Sequence, residues 1–160
     1  MCTTACLGRV TGYHRFDDGT YNLLLLGLRR VKLIKELEPE KLYREAEVEL
    51  CEDLYPAGAE SSSRELQKKL RAAFVRLLPM IPEAHEQIDQ VMASDIPLGI
   101  LTDVISFMLK IGIRQKESLL GELNVYRRAD MLLAHLQAAC LGSEHGHSAA
   151  QEFPPRFSLN

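Results

Sequence analysis

A chain of 160 residues has room for one domain, or for two small subdomains around a shared core. With 46% hydrophobic and 26% charged residues it has a globular composition, which excludes a disordered or fibrous chain. A net charge of -3 supplies no overall attraction to nucleic acid, although a local basic groove would be compatible with it.

The opening residues, MCTTACLGRV, lack the charged start and apolar run of an export signal. The longest apolar stretch, residues 98–113, contains Asp103 and Lys110 and is short for a membrane span. A cytoplasmic protein without a membrane partner is therefore expected. The four cysteines, at 2, 6, 51 and 140, form no Cys-x-x-Cys pair, and no second ligand pair accompanies Cys2 and Cys6. Idle thiols in a reducing compartment, with no metal and no cofactor, are the expectation.

Residues 3–13 are rich in strand-forming types, and Asp17-Asp18-Gly19-Thr20 supplies a hairpin turn. Residues 21–28 follow with four consecutive leucines, so this strand is apolar on both faces and should lie centrally, covered on both sides. Gly27 marks a bulge or a close backbone approach. Residues 31–34 continue the sheet. From Arg44 to Glu52, Ala46, Val48 and Leu50 alternate with Glu45, Glu47 and Glu49, the period of a strand with one wet face.

Residues 56–63, PAGAESSS, have the composition of a linker. Ser62 and Glu65 stand at capping-box spacing, and Leu66, Leu70, Phe74, Leu77 and Leu78 form a helical stripe. A second helix is expected from Pro82, burying Ile88, Val91 and Met92. Asp95 and Pro97 mark the start of a third, whose apolar residues (Ile100, Leu101, Val104, Ile105, Phe107, Met108 and Ile111) wrap most of its surface. After a break at Gly112, residues 115–123 read as a short helix. Asn124 then caps a last one, striped by Val125, Ala129, Leu132, Leu133, Leu136 and Ala139 and ended by Gly142. Four segments result: a β-rich half over 1–55, a linker over 56–63, a helical bundle over 64–141 and a disordered tail over 142–160. Strands before helices give an α+β fold with two segregated halves.

No phosphate-cradling loop ends in Lys-Ser/Thr, and no Gly-x-Ser-x-Gly turn presents a nucleophile. His14, His85 and His135 are isolated, and His145 and His147 sit in the expected tail, a poor catalytic platform. A non-enzyme is expected. Asp103, the one carboxylate on an otherwise apolar helix, needs a partner if buried, and Arg128 on the last helix is the candidate for a helix-to-helix anchor. Arg29, Arg30, Lys32 and Lys35 form a basic cluster, but no aromatics interleave and Glu36, Glu38 and Glu40 follow, so a solvated face is expected.

Several stretches together resemble the N-terminal substrate-binding domain of the Lon protease family. Leu7-Gly8-Arg9-Val10, Asp18-Gly19-Thr20-Tyr21-Asn22, and Leu26-Gly27 with Arg30 three residues on come first; Pro39, Tyr43, Ala46 and Val48 continue the series. Gln115, Leu119, Leu120, Asn124-Val125 and Arg128 are similar to the family's closing LLE-x-LDV-x-x-R pattern, departing from it at Gly121 and Asn124. Gly8, Asp18, Gly19, Tyr21, Gly27, Arg30 and Tyr43 carry the motif in the β-rich half. The resemblance, over residues 5–138, implies a PUA-like β-barrel followed by a helical bundle. It also implies recognition of unfolded or exposed apolar polypeptides in protein quality control. Family members have strands preceding the point where this sequence starts, so the expectation is an incomplete barrel, a start placed too late, and strand edges open to self-association. The alternatives are a PUA-like nucleic-acid-binding protein and a fragment without independent function.

Overall fold

The computed structural model describes residues 3–38, 41–58, 60–77 and 95–142. Among them, three strands, β1 (Thr4–Arg15), β2 (Tyr21–Glu36) and β3 (Ala46–Cys51), precede four helices, α1 (Glu60–Leu77), α2 (Leu98–Met108), α3 (Ile113–Gly121) and α4 (Val125–Gly142). The fold is α+β, with strands and helices segregated along the chain. The helix expected from Pro82 and the tail beyond 142 lie outside the described residues.

The strands form one antiparallel sheet in the order β1-β2-β3. Gly19, at φ +85°, closes the β1–β2 turn in a backbone region that costs a side chain energy but is open to glycine. Asp18 Oδ1 accepts hydrogen bonds from the Thr20 N–H and hydroxyl, at 2.9 and 2.7 Å, and locks the turn from its other side. Residues 21–28 and 31–34, expected as successive segments, are one 16-residue strand. At about 3.3 Å per residue β2 is about 50 Å long.

Its two halves have different surroundings. From Arg30 to Glu36 it pairs with β3, whereas Tyr21 to Gly27 pair with β1 alone. The outer half of the hairpin is thus a two-stranded arm. Strand β2 is central, as the leucine run requires, but the arm is not covered: Leu23, Leu24, Leu25 and Leu26 are 56, 67, 62 and 53% exposed. The reason is reach, because the sheet meets the bundle near Arg30 and the leucines lie farther along the strand. Strand β3 likewise keeps its alternation without a buried face, since Val48 and Leu50 are exposed.

The core lies in the bundle. Leu70, Phe74 and Leu77 of α1 meet Leu98, Leu101 and Ile105 of α2, Leu119 of α3, and Val125, Ala129, Leu132 and Leu136 of α4, all buried. Helix α1 begins at Glu60, inside the stretch read as a linker, so Ser62 and Glu65 lie within the helix rather than at its cap. Helix α2 is less enclosed than its composition suggests: Ile100 and Phe107 face solvent, leaving a one-sided apolar contact. Asp95 does not cap it either, because Pro97 holds the N-cap position without a side-chain bond. Helix α3 starts at Ile113, two residues early, with Gln115 Oε1 accepting the Gly112 N–H at 2.6 Å. Asn124 caps α4 as expected from its type, accepting from the N–H groups of Tyr126 and Arg127 at 3.1 and 3.2 Å. Ala139, placed in the α4 stripe, is exposed.

Candidate functional site

The sheet and the bundle are joined by a cluster of two arginines and two aspartates. Arg128 comes from the first turns of α4, on the face opposite solvent, and its side chain is fully buried. Its guanidinium donates to both Asp53 carboxylate oxygens at 3.0 and 2.8 Å, to the Thr102 hydroxyl at 3.1 Å and to the Glu122 carbonyl at 2.8 Å. Such a fork matches a carboxylate in geometry as well as charge. Arg30 enters from mid-β2, donating to both oxygens of Asp103, to Asp53 Oδ1 at 3.2 Å and to the Leu120 carbonyl at 3.0 Å. Burial pulls the Arg30 pKa down, but the hydrogen bond and charge of Asp103, with the charges of Asp53 and Cys6, outweigh it and hold the pKa above its ordinary value. Gly99 lies beneath: a Cβ there would fall on Asp53 Oδ2 and stand 2.7 Å from the Tyr55 hydroxyl.

Two sequence expectations change here. Asp103 is not the buried carboxylate; its side chain is 44% exposed, and its bidentate partner is Arg30, with Arg128 Nε an ion-pair neighbour at 3.5 Å. Its place at the edge of the cluster leaves one side open to water, and the buried pairing belongs to Asp53 and Arg128. Arg30 does not lie on a solvated face either, since its side chain is only 11% exposed. Sequence reasoning missed Asp53 and Thr102. Asp53 follows Glu52 just beyond β3, where nothing in the local pattern separates it from neighbouring acids.

The other motif residues lie apart from this cluster. Gly8 and Gly27 face each other across β1 and β2, beside a register shift. A Cβ on Gly27 would come within 3.1 Å of Cys6 Sγ, the close approach that its place in the strand suggests. Asp18 and Gly19 form the arm's turn. Tyr21 stands near the arm's tip, 6.3 Å from Tyr13 and beneath the Arg15 guanidinium at 5.8 Å. Tyr43 is exposed, with Lys41 5.3 Å from its ring centre.

The arm is the second feature of note. Pairing puts Leu23 and Leu25 on one face with Tyr13 and Val10, and Leu24 and Leu26 on the other with Gly12 and Arg9. Both faces are apolar and open. The described residues hold no cluster of three metal-ligating side chains, and none of their helices is long and apolar enough to cross a membrane.

This order of elements agrees with what comparison with known proteins finds. The model of the ATP-dependent protease La (LON) substrate-binding domain matches residues 1–138. The chain belongs to this family. A Lon protease of Dictyoglomus thermophilum is 29% identical over 123 residues, covering 76% of this chain but 15% of that protease. Among solved structures, the N-terminal domain of Mycobacterium avium complex Lon protease superposes with a TM-score of 0.66 at 20% identity, covering 84% of this chain and 70% of that one. A Lon N-terminal domain protein from Xanthomonas campestris gives 0.55 at 20% identity, over 82% and 67%. At these identities the structures share the fold. The LON-domain α+β arrangement thus accounts for nearly the whole described chain.

Proposed function

We propose that this LON domain is a non-catalytic module that binds unfolded or exposed apolar polypeptide in protein quality control, and that the β1–β2 arm is its contact surface. The observation that carries the reading is the apolar surface on both faces of the arm, centred on Leu23 to Leu26. Large apolar patches on a soluble domain mark interaction surfaces, and leucines accept many sequences because they demand no hydrogen-bond pattern. Membership in a substrate-binding family supports the same reading. Nucleic acid is disfavoured as a partner: Arg29 pairs with Glu52, Arg30 is turned into the cluster, and Lys32 and Lys35 stand opposite Glu49 and Glu47 across the strands.

The test is fluorescence anisotropy with a permanently unfolded polypeptide, a reduced and carboxymethylated one, against its native disulfide-bonded form. The domain should bind the first and ignore the second, and Leu24→Ser with Leu26→Ser should weaken binding without loss of helical signal. Equal binding of both forms, or an unchanged affinity in the double variant, would refute the reading. Binding to RNA with a steep salt slope would favour the nucleic-acid alternative.

A further inference from the structure

We infer that the outer face of α2 and its elbow with α3 dock an acidic segment of another protein, one that carries large apolar side chains among its carboxylates. This surface belongs to the helical bundle and neither needs nor replaces the polypeptide contact proposed for the β1–β2 arm. Helix α2 turns Leu98, Leu101 and Ile105 into the core. Ile100, Val104 and Phe107, at i, i+4 and i+7, form a second apolar stripe on its other side. Val104 is half-buried, whereas Ile100 and Phe107 are 52 and 77% exposed. Ile113, the first residue of α3, is 78% exposed, and among the large apolar side chains described only Leu42 is more so.

Single exposed apolar side chains are ordinary on a protein surface, but these are held together. Lys116 stands one turn beyond Ile113 on α3, and its ammonium donates to the Phe107 carbonyl at 3.2 Å. That bond sets the end of α2 against the first turn of α3, so Phe107 and Ile113 belong to one patch. Helix α3 meets the sheet at its opposite end, where Gly121 lies beside Thr4. The elbow is therefore on the side of the bundle remote from the strands.

Charge identifies the occupant. Residues 104–116 hold Lys110, Arg114 and Lys116 and no acid, in a chain whose net charge is -3. Lys110 and Arg114 are exposed, and the ion pairs formed among the described residues leave both out. Asp103, one turn before Phe107, is already neutralised by Arg30. An apolar stripe ending in uncompensated cations is complementary to apolar anchors flanked by carboxylates: burial supplies the affinity, and charge selects the partner and its direction along α2. Recruitment to an anionic bilayer takes clusters of about four to eight cations, more than the elbow offers. Single-stranded RNA takes a series of aromatic platforms, and Phe107 is the one aromatic of the stripe.

Fluorescence anisotropy on the full chain tests this with a labelled synthetic peptide bearing leucines and glutamates at helical spacing. Two control peptides replace every glutamate by lysine or every leucine by serine. The first peptide should bind, less tightly as salt is raised, and the controls should not. Phe107→Ser should weaken binding on the order of tenfold, as should Lys110→Glu with Arg114→Glu. The charge-reversed variant should in turn accept the lysine peptide. Leu24→Ser with Leu26→Ser should leave all of this unchanged, which separates the elbow from the arm: loss of unfolded-polypeptide binding in that variant bears on the functional proposal alone. No binding of the glutamate peptide, equal binding of the lysine peptide, or loss in the arm variant but not in Phe107→Ser would each overturn the inference. So would co-sedimentation with phosphatidylglycerol vesicles that Phe107→Ser abolishes, since the occupant would then be a membrane. Circular dichroism checks that the variants fold; should they not, the comparison of the three peptides on the wild type still decides.

Discussion

Replacing Asp53 by alanine leaves the Arg128 guanidinium buried with its bidentate partner gone. Arg128 keeps the Thr102 hydroxyl and the Glu122 carbonyl, and Asp103 remains 3.5 Å away, but no carboxylate then meets its fork. Stripping one member from a buried ion pair costs about 3–5 kcal/mol. The 26% exposure of the Asp53 side chain admits some water, which places the expected loss near the lower end, about 3 kcal/mol. Asp103→Ala is the control: Arg128 keeps all four of its hydrogen bonds, Arg30 keeps Leu120 and Asp53, and water already reaches the site. That loss should be about 1–1.5 kcal/mol. For a chain of this size the two figures correspond to falls in Tm of about 6–12 °C and about 2–6 °C. Urea and thermal denaturation followed by circular dichroism at matched pH measures both. If Asp103→Ala proves as damaging as Asp53→Ala, the buried pairing has been assigned to the wrong carboxylate.

Gly99→Ala should destabilise by about 1–3 kcal/mol, since its Cβ must displace the Asp53 carboxylate and the Tyr55 hydroxyl; an unchanged urea midpoint would refute the close packing. Leu132→Ala, emptying a fully buried position on α4, should cost about 2–5 kcal/mol in the same assay, whereas Leu24→Ser on the exposed arm should cost within about 0.5 kcal/mol. The Thr20 hydroxyl and N–H hold the Asp18 carboxyl below its ordinary pKa, so the turn gains from them above that ordinary value and loses the gain as pH falls through the lowered one. In Thr20→Val the Asp18 carboxyl, followed by NMR titration, should move up toward 3.8; an unmoved titration refutes the bond.

Local patterns identified the elements whose cause is local. Asp18-Gly19 announced the turn because few residue pairs adopt its backbone, and the Leu70, Phe74, Leu77 spacing announced a helix face because a helix repeats every 3.6 residues. Helix starts were less legible: Ser62 and Asp95 are good caps by type, yet the chain enters α1 and α2 elsewhere. The leucine run announced a strand and its central place but not its exposure, since cover depends on how far the bundle reaches. Asp53 was illegible for a related reason. Its partner lies 75 residues away, and a single sequence records no pairing over that distance.

One strand shared between an uncovered arm and a packed junction has a consequence for how the molecule opens. The bundle is tied to the sheet near Arg30 and where Leu54 exchanges backbone hydrogen bonds with Leu123 and Val125, at 2.9 and 3.1 Å. Amide protons of β2 from Tyr21 to Gly27 are held by a two-stranded ribbon, which in water is marginal. Those past Arg30 share the protection of the ion cluster. Hydrogen–deuterium exchange should therefore break within this single strand, fast at the leucines and slow from Arg30 onward, with a boundary that no change in secondary structure marks.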